Sequence, residues 1–134
     1  MLLSSSKAII DSGTVITRLP PSVYSSLRLE FRRLMLMYPM IDKISILDTC
    51  YNLSGHDIVS IPKISLVFDG GVKLDLGENA IVDAGSENQV CLAFAPNQSD
   101  EDMVILGNVQ QRTINVVYDL NAERLGFGPP GGCN

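Results

Sequence analysis

The sequence predicts a mostly β domain with one substantial helix, and three observations carry that reading. From Ile58 onward the chain runs as short β-rich stretches broken by turn residues. One segment alone shows apolar residues at helical spacing. At 134 residues with 46% hydrophobic and 19% charged content, the chain is long enough to bury an ordinary core as one domain.

Taken in order, the first element is an apolar strand in "AIIDSGT", where Ala8, Ile9 and Ile10 run into Asp11. Pro20, Pro21 and Ser22 then open the helix, whose apolar residues fall at Tyr24, Leu27, Phe31, Leu34 and Tyr38 and which ends before Pro39. "IVSIPKISLVF" leads through "DGG" into "VKLDL", a strand, a glycine turn and a returning strand. "QVCLAFA", "MVILG", "RTINVVYDL" and "RLGFG" continue the series, with Asn121 and Ala122 in the last turn. No linker, low-complexity tract or run of about 18 apolar residues interrupts it, so no membrane span is expected.

A formal charge of -5 and a pI near 4.6 argue against a phosphate-binding surface, and no nucleic-acid partner is expected. Five of the ten basic residues, Arg18, Arg28, Arg32, Arg33 and Lys43, cluster in one region and read as the solvated face of the helix. Cys50, Cys91 and Cys133 lack C-x-x-C spacing and His56 is the only histidine, so neither a metal site nor a cofactor is expected. Three cysteines leave room for one disulfide and an odd thiol. Two glycosylation sequons begin at Asn52 and Asn97 and, with the cysteines, point to a secretory history. "MLLSSSKAII" lacks the apolar core of a signal peptide, so a secreted protein would need more chain than this.

Two stretches, "AIIDSGT" and "AIVDAGS", repeat an apolar strand, an aspartate and a glycine. The first leads into a helix and the second into another strand, which argues against duplication. The second reads as strand, turn, strand, with Asp83, Gly85 and Asn88 as turn formers. In the first, Gly13 permits a tight turn and the hydroxyls of Ser12 and Thr14 can hold carboxylate oxygens or backbone, so the loop presents an oriented acid. His56 reads as a surface loop residue, and Asp48 as a turn former or a partner of backbone. "GNVQQR" reads as a strand end and short helix, because it lacks the glycine spacing and trailing Lys-Ser/Thr of a phosphate loop.

From "AIIDSGTVITRLPPSVY" through "ILDTCYNLSG", "VSIPKISLVFDGGVKLDL", "QVCLAFAP" and "VILGNVQQRTINVVYDL" to "RLGFGP", the chain resembles the C-terminal lobe of pepsin-like aspartic proteases. Within them it is most similar to the plant secreted branch that includes the nepenthesin-like enzymes. The resemblance covers about Ala8 to Cys133 and implies one lobe of a bilobal fold, with the main helix after the catalytic loop and residues 1–134 forming that lobe. It makes Asp11 one of two catalytic aspartates of an endopeptidase. It makes Ser12 the hydroxyl that braces the two catalytic loops, Thr14 the hydroxyl beside the carboxylate, and Gly13 the residue that keeps backbone close to substrate. Leu106 and Gly107, ending "VILG", match the element packed against that loop. Cys50 and Cys91 match a disulfide within the lobe, leaving Cys133 odd.

The mechanism so implied has two close carboxylates sharing a proton, one activating water and the other hydrogen-bonding the developing oxyanion. This chain supplies one such aspartate; the resemblance implies that Asp83 lies in a peripheral hairpin, and its Ala84 lacks the bracing hydroxyl. The expected partners are therefore a missing N-terminal lobe and a polypeptide substrate, and the isolated lobe is expected to be inactive. The lobe's first strands are expected to be cut short, since only ten residues precede Asp11. The implied location of the full-length protein is the secretory pathway: extracellular, apoplast or vacuole. Two alternatives remain: a homodimer of the retroviral type, each subunit giving one Asp11, and a non-catalytic inhibitor or binding protein on the same fold.

Overall fold

The computed structural model describes residues 8–68, 71–112, 114–122 and 124–128. Among these residues it is mostly β, built from two four-stranded sheets and two hairpins, with one long helix. The first sheet has the order β1(Ala8–Ile10), β10(Val104–Leu106), β2(Thr17–Leu19), β9(Phe94–Pro96). β1 runs parallel to β10 with Ile10 opposite Leu106, so the strand that delivers Asp11 is registered against the one that ends at Gly107. The second sheet has the order β3(Met40–Ile41), β4(Cys50–Asn52), β8(Gln89–Leu92), β7(Val82–Ser86), all antiparallel. β5(Ser65–Val67) with β6(Lys73–Asp75), and β11(Asn115–Asp119) with β12(Arg124–Gly128), are separate hairpins.

Helix α1 spans Pro21–Leu34. Pro21 takes a first-turn position where a missing N–H costs nothing, and Arg32 and Arg33 complement the dipole in the last turn. The buried stripe is Tyr24, Phe31, Met35 and Tyr38 rather than one that includes Leu34, which is 41% exposed. Beyond α1 the chain turns, so Met35 and not Leu34 meets the core.

Leu19, Phe31, Tyr51, Leu66, Phe94 and Leu106 belong to the main apolar core. Smaller residues form a second one, where Ile16 and Val109 pack with Cys50, Cys91 and Ala93. Cys50 and Cys91 lie opposite each other in β4 and β8 and are joined by a disulfide across 41 residues of sequence. Cys133 lies outside the described residues.

Several sequence expectations do not survive in three dimensions. The run from Ile58 to Phe68 is strand only at Ser65–Val67; two of its preceding residues are Ser60, whose N–H bonds the Tyr38 hydroxyl, and Pro62, which has no N–H to give a ladder. Asp83 and Gly85 are not turn residues. Both lie within β7, which carries a bulge between Ala84 and Ser86, and the turn falls at Glu87 and Asn88. A short helix α2(Glu78–Ile81) precedes that strand.

Nor is the basic cluster a simple solvated face. Arg28 pairs with Asp48 at 2.6 Å, Arg32 donates to the Thr49 hydroxyl and the Asp48 carbonyl, and Arg33 bonds Glu30. Asp48 also accepts from the Tyr24 and Thr49 hydroxyls, so it ties α1 to the start of β4 through side chains, not backbone. Burial pushes the Asp48 carboxyl up, but the bonds from Tyr24, Arg28 and Thr49 outweigh it and hold it below the ordinary range. Burial first, then the bond to Asp48, drives the Tyr24 phenol well above its usual value.

Both crosslinks can be tested by unfolding. Reducing the disulfide opens the loop it closes in the unfolded chain, raises that chain's entropy, and should cost roughly 3 to 4 kcal/mol of stability by the chain-entropy account. Urea unfolding with and without reductant measures this, and equal midpoints would contradict it. A depressed native carboxyl contributes stability above the unfolded Asp value of about 3.9, and loses it as pH falls through the native value. Asp48→Asn should therefore be less stable than the parent near neutral pH, the two converging in strong acid. A constant gap across the titration would sink the ion-pair account.

Candidate active site

The loop after β1 is a turn folded around its own aspartate. The Thr14 N–H donates to the Asp11 carbonyl at 3.1 Å, leaving Ser12 and Gly13 as the central residues. One carboxylate oxygen of Asp11 accepts from the Gly13 N–H at 2.9 Å and the other from the Thr14 hydroxyl at 2.6 Å. The Thr14 hydroxyl first, and the Gly13 amide second, hold the Asp11 carboxyl below the usual carboxylate range. The side chain is exposed, so the loop offers solvent an ionised, fixed acceptor. Ser12 is exposed at the tip of the turn.

A second segment holds this loop from behind. The Asp11 N–H bonds the Leu106 carbonyl at 3.1 Å, continuing the β1–β10 pairing past the strand end. Gly107 then opens the short helix α3(Asn108–Gln111). Its amides cover loop carbonyls: Asn108 N–H to Thr14 at 2.7 Å and Val109 N–H to Val15 at 3.1 Å. The Asn108 side-chain amide reaches the Ser12 carbonyl at 3.1 Å. A Cβ on Gly107 would lie 2.6 Å from the Val15 carbonyl oxygen and 2.9 Å from that of Thr14, so only glycine lets the backbones approach. At Gly13 the added carbon would meet the Asp11 carboxylate itself at 3.2 Å.

Beneath both segments lies a polar cluster with no solvent exposure. The Thr17 hydroxyl accepts from the Gly107 N–H at 2.9 Å and donates to the Gln110 Oε1 at 2.5 Å. Gln110 Nε2 donates to the Ala80 and Ala93 carbonyls, both at 2.8 Å. Sequence reasoning identified Asp11, Ser12, Gly13, Thr14, Leu106 and Gly107, and the structure brings these six together in one loop and the strand end behind it. It missed Thr17, Asn108 and Gln110. The available signal was a pair of polar residues, Gln110 and Gln111, shortly after an apolar strand and a glycine.

The other candidates lie elsewhere. Asp83 is on β7, opposite Cys91 and in the second sheet. Asn52, at the end of β4, accepts from the Ser54 N–H at 2.9 Å; the Asn97 amide donates to the Met103 carbonyl at 2.8 Å. His56 is exposed, its ring in a T-shaped contact with that of Tyr38. Among the described residues no cluster of three or more His, Cys, Asp or Glu could hold a metal, and no helix is long and apolar enough to cross a membrane.

Residues 2–129 match the family described as xylanase inhibitor C-terminal. The chain belongs to that family. Its relatives include an aspartyl protease family protein of Arabidopsis thaliana, 50% identical over 130 residues, and the aspartic proteinase nepenthesin-2 of Nepenthes gracilis, 39% identical over 123. These alignments cover 97% and 90% of the chain but 27% of either relative, so the chain spans about a quarter of their length. Among solved structures, edgp matches with a TM-score of 0.80 at 20% identity, covering 92% of this chain and 32% of its own. Conglutin gamma from lupine seeds matches at 0.76 and 19%, covering 90% and 31%. These likenesses show the fold. The sequence resemblance to the C-terminal lobe of plant pepsin-like proteases therefore holds for this xylanase inhibitor C-terminal domain, with plant aspartyl proteases as relatives.

The close approach at Gly107 gives a direct test. Gly107→Ala places a carbon against two backbone carbonyls and should cost at least about 3 kcal/mol or prevent folding. Gly126→Ala, where an added carbon meets nothing within 4 Å, should change stability by less than about 1 kcal/mol. Thermal melts of the pair decide it, and similar melts would refute the packing argument.

Proposed function

We propose that residues 1–134 form the C-terminal lobe of an aspartic endopeptidase, in which Asp11 is one of two aspartates that activate water against a peptide bond. The observation that carries this is the carboxylate of Asp11, exposed at a strand end with both oxygens held by the loop around it. Such a group is an oriented base. It becomes a proton-sharing pair only when a second carboxylate is brought close, because two near like charges cannot both stay ionised. The ionised member then takes a proton from water as it attacks the carbonyl, and the protonated member hydrogen-bonds the oxyanion. Ser12, at the exposed tip, is the residue that would meet the opposing loop.

The second carboxylate would come from an N-terminal lobe. The shortfall in length against the relatives supports this, as do the exposed apolar residues Val117, Tyr118, Leu120 and Leu125 of the β11–β12 hairpin. The disulfide suits an oxidising compartment, and we place the full-length protein in the secretory pathway, its substrate a polypeptide.

On this reading the isolated chain does not cleave a denatured protein between about pH 3 and 5, where carboxylates titrate. Pepstatin-sensitive cleavage by the purified chain would overturn that, and a rate rising with the square of concentration would assign the site to a homodimer. The positive test replaces the matching 130 residues of the Arabidopsis aspartyl protease relative with this chain. Asp11→Asn in that chimera should lower activity by several orders of magnitude, while Asp83→Asn leaves it nearly intact. Equal losses would mean that the chemistry had been assigned to the wrong aspartate.

A further inference from the structure

One side chain from outside the loop touches the loop backbone among the described hydrogen bonds, and it acts at the peptide that matters. Ser12 and Gly13 are the central residues of the turn closed by the Thr14 N–H, so the Ser12 carbonyl and the Gly13 N–H belong to one peptide group. A trans peptide is planar, and its C=O and N–H point in opposite directions. The N–H side faces Asp11 Oδ1 at 2.9 Å, and the C=O side faces Asn108 Nδ2 at 3.1 Å.

The central peptide of a β-turn is also its weak point. Types I and II differ by rotation of that peptide through about 180°, and type II places its third residue at positive φ, which glycine accepts without steric cost. Here Gly13 does not have positive φ, so the turn sits on the unflipped side, yet the residue present would tolerate the flip. Flipping would withdraw the N–H from Asp11 and turn the Ser12 carbonyl oxygen toward the carboxylate, oxygen against oxygen. The turn's own closing bond, Thr14 N–H to Asp11 C=O, survives either arrangement. It does not select between them.

We infer that Asn108 is a positioning residue: by donating to the Ser12 carbonyl it locks the Ser12–Gly13 peptide with its N–H on Asp11, and so fixes the orientation of the acid. Its own backbone N–H bonds Thr14, so the side chain is anchored one residue from the segment it aligns. A half-buried residue at the start of a four-residue helix, it has little to contribute to the core. This role rests on the proposed catalytic use of Asp11, but the geometry it asserts is testable without catalysis.

Asn108→Ala and the near-isosteric Asn108→Leu both remove the donor, and Leu keeps the volume. In the 134-residue chain, amide exchange by NMR should quicken at Gly13 by about tenfold, as for loss of a bond worth about 1.4 kcal/mol, while Ala93 in the core keeps its protection. The Asp11 carboxyl should titrate higher in both variants. Unchanged exchange at Gly13 overturns the inference. So does equal quickening at Gly13 and Ala93, which would make Asn108 a general stabiliser, and so does loss in Ala with retention in Leu, which would make packing the cause. In the chimera, kcat should fall about tenfold with KM within about twofold, as expected for a misoriented acid; unchanged kcat with altered Gly13 exchange would also overturn it. A chimera that is inactive before substitution counts against the proposed function alone, since the Gly13 measurement stands by itself.

Discussion

The structure around Asp11 depends on one hydroxyl, that of Thr17. It sits without solvent exposure between the Gly107 N–H, from which it accepts, and Gln110, to which it donates. Gln110 in turn spends both amide hydrogens on the Ala80 and Ala93 carbonyls. A buried polar cluster is favourable only when its members are satisfied, and this one is, with every donor hydrogen used. Four separate parts of the chain, β2, the end of β10, α2 and the β8–β9 junction, are thereby registered to one another. An apolar core tolerates repacking at constant volume, but a closed set of directional bonds does not. The cluster thus fixes where Gly107 lies, Gly107 permits α3 to approach the loop, and α3 holds the loop carbonyls.

That chain of constraints has an electrostatic consequence. The two bonds that orient Asp11 both stabilise its ionised form, so the lobe holds the group as a base and resists its protonation. On the proposed function, proton sharing would have to be imposed from outside, by a second carboxylate whose repulsion exceeds the preference set here. The lobe supplies geometry and one charge, and the proposed partner supplies the asymmetry. An exposed carboxylate with no such neighbour has no reason to be anything but ionised at mildly acidic pH.

Local features were legible in the sequence and tertiary ones were not. The helix could be read because two prolines mark its start and its apolar residues repeat every three or four positions. The loop at Asp11 could be read because an acid, a glycine and two hydroxyls are adjacent in sequence, although among the described hydrogen bonds only the Thr14 hydroxyl takes the carboxylate. Asp83 and Gly85 were misread because their intrinsic preference for turns was overridden by pairing with β8, which absorbs the irregularity as a bulge. Asp48 reads locally as a turn former or a partner of backbone, whereas its partners Tyr24 and Arg28 lie 24 and 20 residues away. Thr17 and Gln110 are separated by 93 residues, and no pattern within either segment announces the bond between them.

The same distinction bears on what the fold can say about activity. At 19% to 20% identity the lobe superposes on edgp and on a lupine seed globulin, so the architecture is shared by proteins with different names and carries no chemistry by itself. What points to catalysis is narrower: an aspartate at a strand end, two donors on its carboxylate, and a glycine that lets a second segment reach the loop. Asp11 is exposed and makes no contribution to the core, so nothing in the packing requires an acid there. The same two bonds give the acid a part in closing its own turn, and its exposed carboxylate is what the proposed chemistry would use.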